Sequence, residues 1–115
     1  NNYLICRETH KINPFPYNKA WIDQVGNFDY VDVIADLIIK LIDKNATGTY
    51  NVGTELKTIY DLAKQTNNKV TRTFRPSYVP GNVSMDLTKL TNVSIPVLNV
   101  PNGIIKCGVC LLTIK

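Results

Sequence analysis

Between Tyr30 and Lys44 the apolar residues Tyr30, Ile34, Leu37, Ile38 and Leu41 recur at spacings of three and four, and Asp32, Asp36, Lys40 and Lys44 fall opposite them. That spacing predicts an amphipathic helix whose one apolar stripe must be covered by another layer. Asp29 is placed to cap its first turn, because a side-chain oxygen there can accept a free amide two or three residues on. Asp36 and Lys40 are four apart, the favourable order for an ion pair along a helix. Asn45–Gly48 ends the helix. A short apolar run, Tyr3–Arg7, precedes it and reads as a buried strand. Thr49–Val52, between Gly48 and Gly53, reads as a second strand. Thr58-Ile59-Tyr60-Asp61 has the spacing of a capping box and opens a second helix to about Gln65. Lys69–Phe74 suits a third strand.

Strand, helix, strand, helix, strand in this order predicts an α/β fold with a parallel sheet and right-handed crossovers. Other segments are set by their breakers. Asn13-Pro14-Phe15-Pro16 interrupts any ladder or helix, and Pro76, Pro80 and Gly81 make 75–82 a loop. Tyr17–Gly26 has room for a helical turn or two. Val83–Leu90 fits no single period.

Thirteen basic against nine acidic residues give a net charge of +4. The basic residues are dispersed, and no run of Lys or Arg reaches three. A nucleic-acid interface gathers such residues on one face, so nucleic acid is not an expected partner. The mild positive bias suits a small phosphate-bearing ligand. No apolar run is long enough to span a bilayer, and the first seventeen residues lack the apolar core of a signal peptide. Three cysteines (Cys6, Cys107, Cys110) do not make a disulfide framework, which points to a cytoplasmic setting. The absence of an initial Met suggests that sequence precedes Asn1.

Four strings then resemble one family, in the family's order. Leu4-Ile5-Cys6-Arg7 resembles its strand ending in Arg. Tyr30-Val31-Asp32-Val33-Ile34-Ala35 resembles the helix after its substrate loop. Gly48-Thr49-Tyr50-Asn51-Val52-Gly53 resembles its G-x-Y-N-V-G strand. Arg75-Pro76, followed by Ser84-Met85-Asp86-Leu87-Thr88-Lys89-Leu90, resembles its R-P … S-x-D-x-x-K-L segment. The family is that of dTDP-4-dehydrorhamnose reductases, among the extended short-chain dehydrogenases. The likeness covers about residues 3–90. Glu8-Thr9 departs from the Thr-Ser that follows the strand in the family, and 92–115 has no counterpart.

The resemblance implies a partial Rossmann-like parallel sheet with crossover helices. Residues 1–92 would be the substrate-binding portion and 93–115 a divergent tail. It implies a nucleotide-diphosphate sugar as ligand. NADPH or NADH would be held by the family's other half, through a glycine-rich turn that this sequence lacks. The family's catalytic Tyr-x-x-x-Lys is matched in form by Tyr60 and Lys64. That pair sits on the second crossover helix, after the substrate-side strand, and reads as a helix-surface pair. No catalytic residue is therefore assigned, and the chain alone is expected to be inactive. The alternative is a non-enzymatic binding module that self-associates or docks on a partner through apolar surface.

Arg75 is the first candidate for binding, because a guanidinium fork suits phosphate and ligand residues concentrate in loops. The plainer role is a solvated loop arginine. Arg7 ends a strand, where ligands of open α/β sheets bind; an ion pair with Glu8 or Asp32 is its alternative. Asn82, Ser84 and Asp86 can bond sugar or base, or else shape their loop. Phe15, Tyr17 and Trp21 offer a wall for a base, or core packing. Cys6, His10, Cys107 and Cys110 have the ligand types of a zinc site but not its spacing, so no metal is assigned.

Overall fold

The structure is a computed structural model that describes residues 3–93 and 109–113. The chain begins with β1 (Tyr3–Arg7) and β2 (His10–Lys11), then β3 (Lys19–Trp21), β4 (Val25–Gly26) and β5 (Asp29–Tyr30). Helix α1 (Val31–Asp43) follows, then β6 (Gly48–Asn51), β7 (Lys57–Thr58), α2 (Ile59–Thr66) and β8 (Thr71–Thr73). Next come β9 (Asn82–Val83), α3 (Thr88–Asn92) and β10 (Val109–Thr113). The expected divergent tail, 93–115, lies outside the described residues except for Val93 and β10.

The architecture is α/β. β1 and β6 pair in parallel from Leu4↔Gly48 to Arg7↔Asn51, with α1 as their connection. β10 pairs with the other edge of β1, antiparallel. Leu4 and Cys6 from β1, Tyr50 from β6 and Ile34, Leu37, Ile38 and Leu41 from α1 form one buried cluster, closed by Leu90 of α3. The helix stripe predicted from spacing is thus the face that covers the sheet. Asn45, at φ 57°, and Gly48, at φ 95°, turn the chain from α1 into β6; this left-handed backbone is tolerated by Gly and, less freely, by Asn.

Several expectations need correction. The third predicted strand does not join β1 and β6. β8 pairs in parallel with β3, from Lys19↔Thr71 to Trp21↔Thr73. The segment 17–26 is accordingly extended rather than helical. Its amides are taken up by distant partners, as where Val25 N bonds Gly81 O at 2.9 Å. Asp29 does not cap α1. Tyr30 is the N-cap residue, without a side-chain cap bond. The Asp29 carboxylate accepts Tyr30 N at 2.7 Å and the Thr54 hydroxyl at 2.7 Å. Asp36 is buried rather than solvated, and Lys40 pairs with it at 3.0 Å. The capping box of α2 is formed as expected, with Asp61 N donating to Thr58 Oγ1 at 3.0 Å.

A second cluster (Phe15, Ala20, Phe28, Tyr30, Ile59, Leu62, Ala63, Val70) packs α2 against β3. Tyr30 links the two clusters in sequence, and its hydroxyl donates to Leu62 O at 2.7 Å. No helix among the described residues is long and apolar enough to cross a membrane.

Beyond Arg7 the buried Glu8 meets His10 Nδ1 at 3.0 Å. Burial pushes the Glu8 carboxyl above its ordinary 4.5, and the bond to His10 partly opposes that. A raised carboxyl holds its proton more tightly folded than unfolded. It stabilises the fold below the ordinary glutamate range, and this is lost as pH rises through the folded value. Glu8→Gln keeps the shape without the charge. Its urea midpoint is expected to change less than the parent's between pH 4.5 and neutrality; an unchanged slope would remove Glu8 from that role.

Candidate functional site

Ligands of open α/β sheets bind beyond the carboxyl ends of the strands. β1 and β6 make such an end here. Arg7 and Asn51 are register partners at its rim. With Thr49, Asp86, Thr88, Lys89 and Asn92 they line a cleft of about 360 Å³. Three elements supply it: the parallel strand pair, the 84–87 turn and α3.

The cleft wall is held by specific bonds. Asn51 Nδ2 donates to Asp86 O at 3.1 Å, which ties the turn to the end of β6. Lys89 Nζ donates to Thr49 O at 2.9 Å and lies 4.3 Å from the Tyr50 ring centroid. The Asp86 carboxylate accepts the Thr88 hydroxyl at 2.6 Å and the Thr88 amide at 2.9 Å. Those two bonds hold the Asp86 carboxyl below the ordinary carboxylate range, so it is ionised at neutral pH. Arg7 is exposed. Among the described residues the ion pairs engage His10, Lys40, Lys57 and Arg75, and Glu8, one proposed partner of Arg7, pairs with His10. A planar guanidinium outside these described ion pairs, lining one cleft with an ammonium, is suited to a bidentate anion.

Arg75 is not brought to this cleft. Its Nη1 donates to Val79 O at 2.8 Å and its Nε to Asp23 O at 3.1 Å, and its own amide donates to Asp23 Oδ1 at 2.8 Å. The side chain folds over Gly81, where a Cβ would meet the guanidinium at 2.9 Å. It organises the 75–82 loop. Asn82 and Ser84 also lie away from the cleft lining; Asn82 Oδ1 accepts Ser84 N at 2.9 Å and shapes the turn between them.

No family model, curated protein or solved structure matches this chain. The likeness to the reductase family therefore rests on the residue strings and their order.

A second cleft, of about 380 Å³, is lined by Lys11, Phe15, Tyr17, Lys19, Ala20, Trp21 and Ile59. The Phe15 and Tyr17 rings meet edge to face, with centroids 5.7 Å apart. Phe15 is buried, whereas Tyr17 is 66% exposed. Core packing thus accounts for Phe15 but not for Tyr17. Burial pushes the Lys11 ammonium below its ordinary value, a cost that an anion in this cleft would relieve. Sequence reasoning found these aromatics and missed the lysines, since nothing local shows that Lys11 and Lys19 line the same cavity.

Tyr60 lies on α2 with Lys64 Nζ 6.0 Å and the Arg72 guanidinium 5.2 Å from its ring centroid. No group of three or more His, Cys, Asp or Glu able to hold a metal occurs among the described residues; Cys107 lies outside them.

Proposed function

We propose that this chain is the substrate-binding portion of an NAD(P)-dependent sugar-nucleotide reductase or epimerase, similar to the dTDP-4-dehydrorhamnose reductases. In this reading the β1–α1–β6 unit is the end of a Rossmann-like sheet. The observation that carries it is the cleft at the carboxyl ends of β1 and β6, where Arg7 and Lys89 stand with Asn51, Asp86 and Thr88. Arg7 would take a diphosphate oxygen pair. Asp86, ionised, would accept from sugar hydroxyls. The cleft of Phe15, Tyr17 and Trp21, with Lys11 and Lys19, would suit a base and its first phosphate.

The chain's share of the work is to bind and orient. Fixing a sugar against a reactant held elsewhere converts an encounter into a positioned step. The sequence has no glycine-rich turn to hold NADPH or NADH. In this reading NADPH or NADH is held by the family's other half.

Calorimetric titration of the chain with dTDP or UDP tests the proposal. Arg7→Ala is expected to weaken binding about tenfold or more, the equivalent of ~1.4 kcal/mol for a lost charge-assisted contact. Trp21→Ala reports on the aromatic cleft in the same assay. Arg75→Ala is expected to loosen its loop without a selective loss of affinity. Absence of binding, or full affinity in Arg7→Ala, would overturn the assignment of the cleft.

A further inference from the structure

We infer that Lys11 is a nucleophilic amine, and that the cleft around it captures a small aromatic aldehyde bearing an acid group as an imine. The cleft holds about 380 Å³, within the range of ligand pockets. Lys11 lies on β2, in register with Tyr30 of β5, and Lys19 lies on β3, in register with Thr71 of β8. Both side chains are thus carried on paired strands and line one cavity. Lys11 is half-buried there and Lys19 is exposed. Tyr17 and Trp21 share the lining, with the Phe15 ring edge to face against Tyr17. Elsewhere lysine ammonium groups are held by acceptors: Lys40 by Asp36, Lys57 by Asp29 and Glu55, Lys64 by Asn68 O and Lys89 by Thr49 O. Lys44 and Lys69 are exposed. Among the described residues Lys11 and Lys19 make no side-chain hydrogen bond or ion pair, and no carboxylate lines their cleft.

Burial disfavours the charged form of Lys11 and pushes its ammonium below the ordinary value. Desolvation in an apolar pocket is one way in which a lysine is activated toward carbonyl carbon. The neutral Lys11 Nζ adds to the aldehyde carbon, the carbonyl pair moves to oxygen and takes a proton from water, and the nitrogen gives one up. The carbinolamine then loses its hydroxyl as water while the nitrogen pair forms the C=N bond. One water leaves for each imine formed, and nothing is oxidised or reduced. The ring stacks on Tyr17 and Trp21, and Lys19 takes the acid group at the open side. The inference goes beyond the nucleotide reading and stands without it, since no residue of the β1–β6 cleft takes part.

The test treats the folded full chain with para-formylbenzoate and cyanoborohydride, which reduces the imine to a stable secondary amine. Peptide mapping by mass spectrometry then ranks the lysines by rate of labelling. Lys11 is expected to lead. A lead by another lysine, or even labelling of all of them, would overturn the inference. In urea the lead of Lys11 is expected to vanish; a lead that survives unfolding does not come from the cleft and overturns it equally. Benzaldehyde, which lacks the acid group, separates the roles of the two lysines. In Lys19→Gln the ratio of para-formylbenzoate to benzaldehyde labelling at Lys11 is expected to fall about tenfold, the loss of one charge-assisted contact. An unchanged ratio would overturn the assignment of an acid-bearing ligand.

Discussion

Lys57→Met is expected to cost about 3–5 kcal/mol of folding stability, the range for breaking a buried ion pair from one side. Lys57 is buried between β4 and α2, and its Nζ donates to Phe28 O at 3.1 Å and to Thr54 Oγ1 at 2.6 Å. It lies 3.5 Å from Asp29 Oδ2 and 2.8 Å from Glu55 Oε1. Thr54 passes its own proton on to Asp29. One ammonium thus serves a buried carboxylate, a buried hydroxyl and a strand-end carbonyl. Methionine matches the length and removes the charge, which leaves the largely buried Asp29 carboxylate without its ammonium. A urea midpoint measured for the variant checks the magnitude. Adding Asp29→Asn to Lys57→Met is expected to recover part of the loss, because the orphaned charge goes with it. A single-variant cost below about 1 kcal/mol, typical of a solvated pair, would refute this account.

Gly53→Ala is expected to cost about 1–3 kcal/mol or more through overpacking against backbone. A Cβ there would lie 2.3 Å from Asn27 O and 2.8 Å from Asn27 Cβ. Neither atom is the end of a flexible chain. The close approach exists because Thr54 N donates to Asn27 O at 3.1 Å while Asn27 Nδ2 donates to Thr54 O at 2.9 Å. Asn27 Oδ1 also accepts Met85 N at 2.7 Å. Displacing Asn27 therefore loosens the turn that presents Asp86. Hydrogen exchange reads both effects. Global protection is expected to fall, and the Met85 amide to lose protection beyond that. Asn27→Ala removes the side-chain bonds while leaving the contact space open, so it should release Met85 with less strain.

Local features were legible in the sequence. The stripe of α1, the Asp36–Lys40 pair and the capping box of α2 all depend on residues within four positions of each other. The parallel β1–β6 pair followed from two glycine-bounded or apolar runs around one amphipathic helix. Partner choice was not legible. Lys69–Phe74 looked like a third strand of the same sheet, yet β8 lies with β3, an element whose three residues carry too short a pattern to read. Asp29 looked like a cap because the rule is local; the competing claim of Thr54 and Lys57 comes from more than twenty residues away. The site divides the same way. Arg7 and Asp86 were both chosen from position and chemistry, and they line one cleft. Arg75 had the same chemistry and a suitable loop, but Asp23 and Val79 take its donors. Lys89 was visible only as part of a string, and its place at β6 needed the fold.

The Lys89 ammonium on the Thr49 carbonyl has a consequence for how copies of this chain meet. β6 is hydrogen-bonded to β1 on one side, and its outward side is where another extended segment would add. An unguarded edge recruits such segments and seeds aggregates, and lysine is a frequent deterrent at that position. Here the charge occupies one of the acceptors that an incoming strand would need, and Asn51 is tied to Asp86 beside it. The groups that shape the cleft therefore also take up part of the hydrogen-bonding capacity of this strand edge.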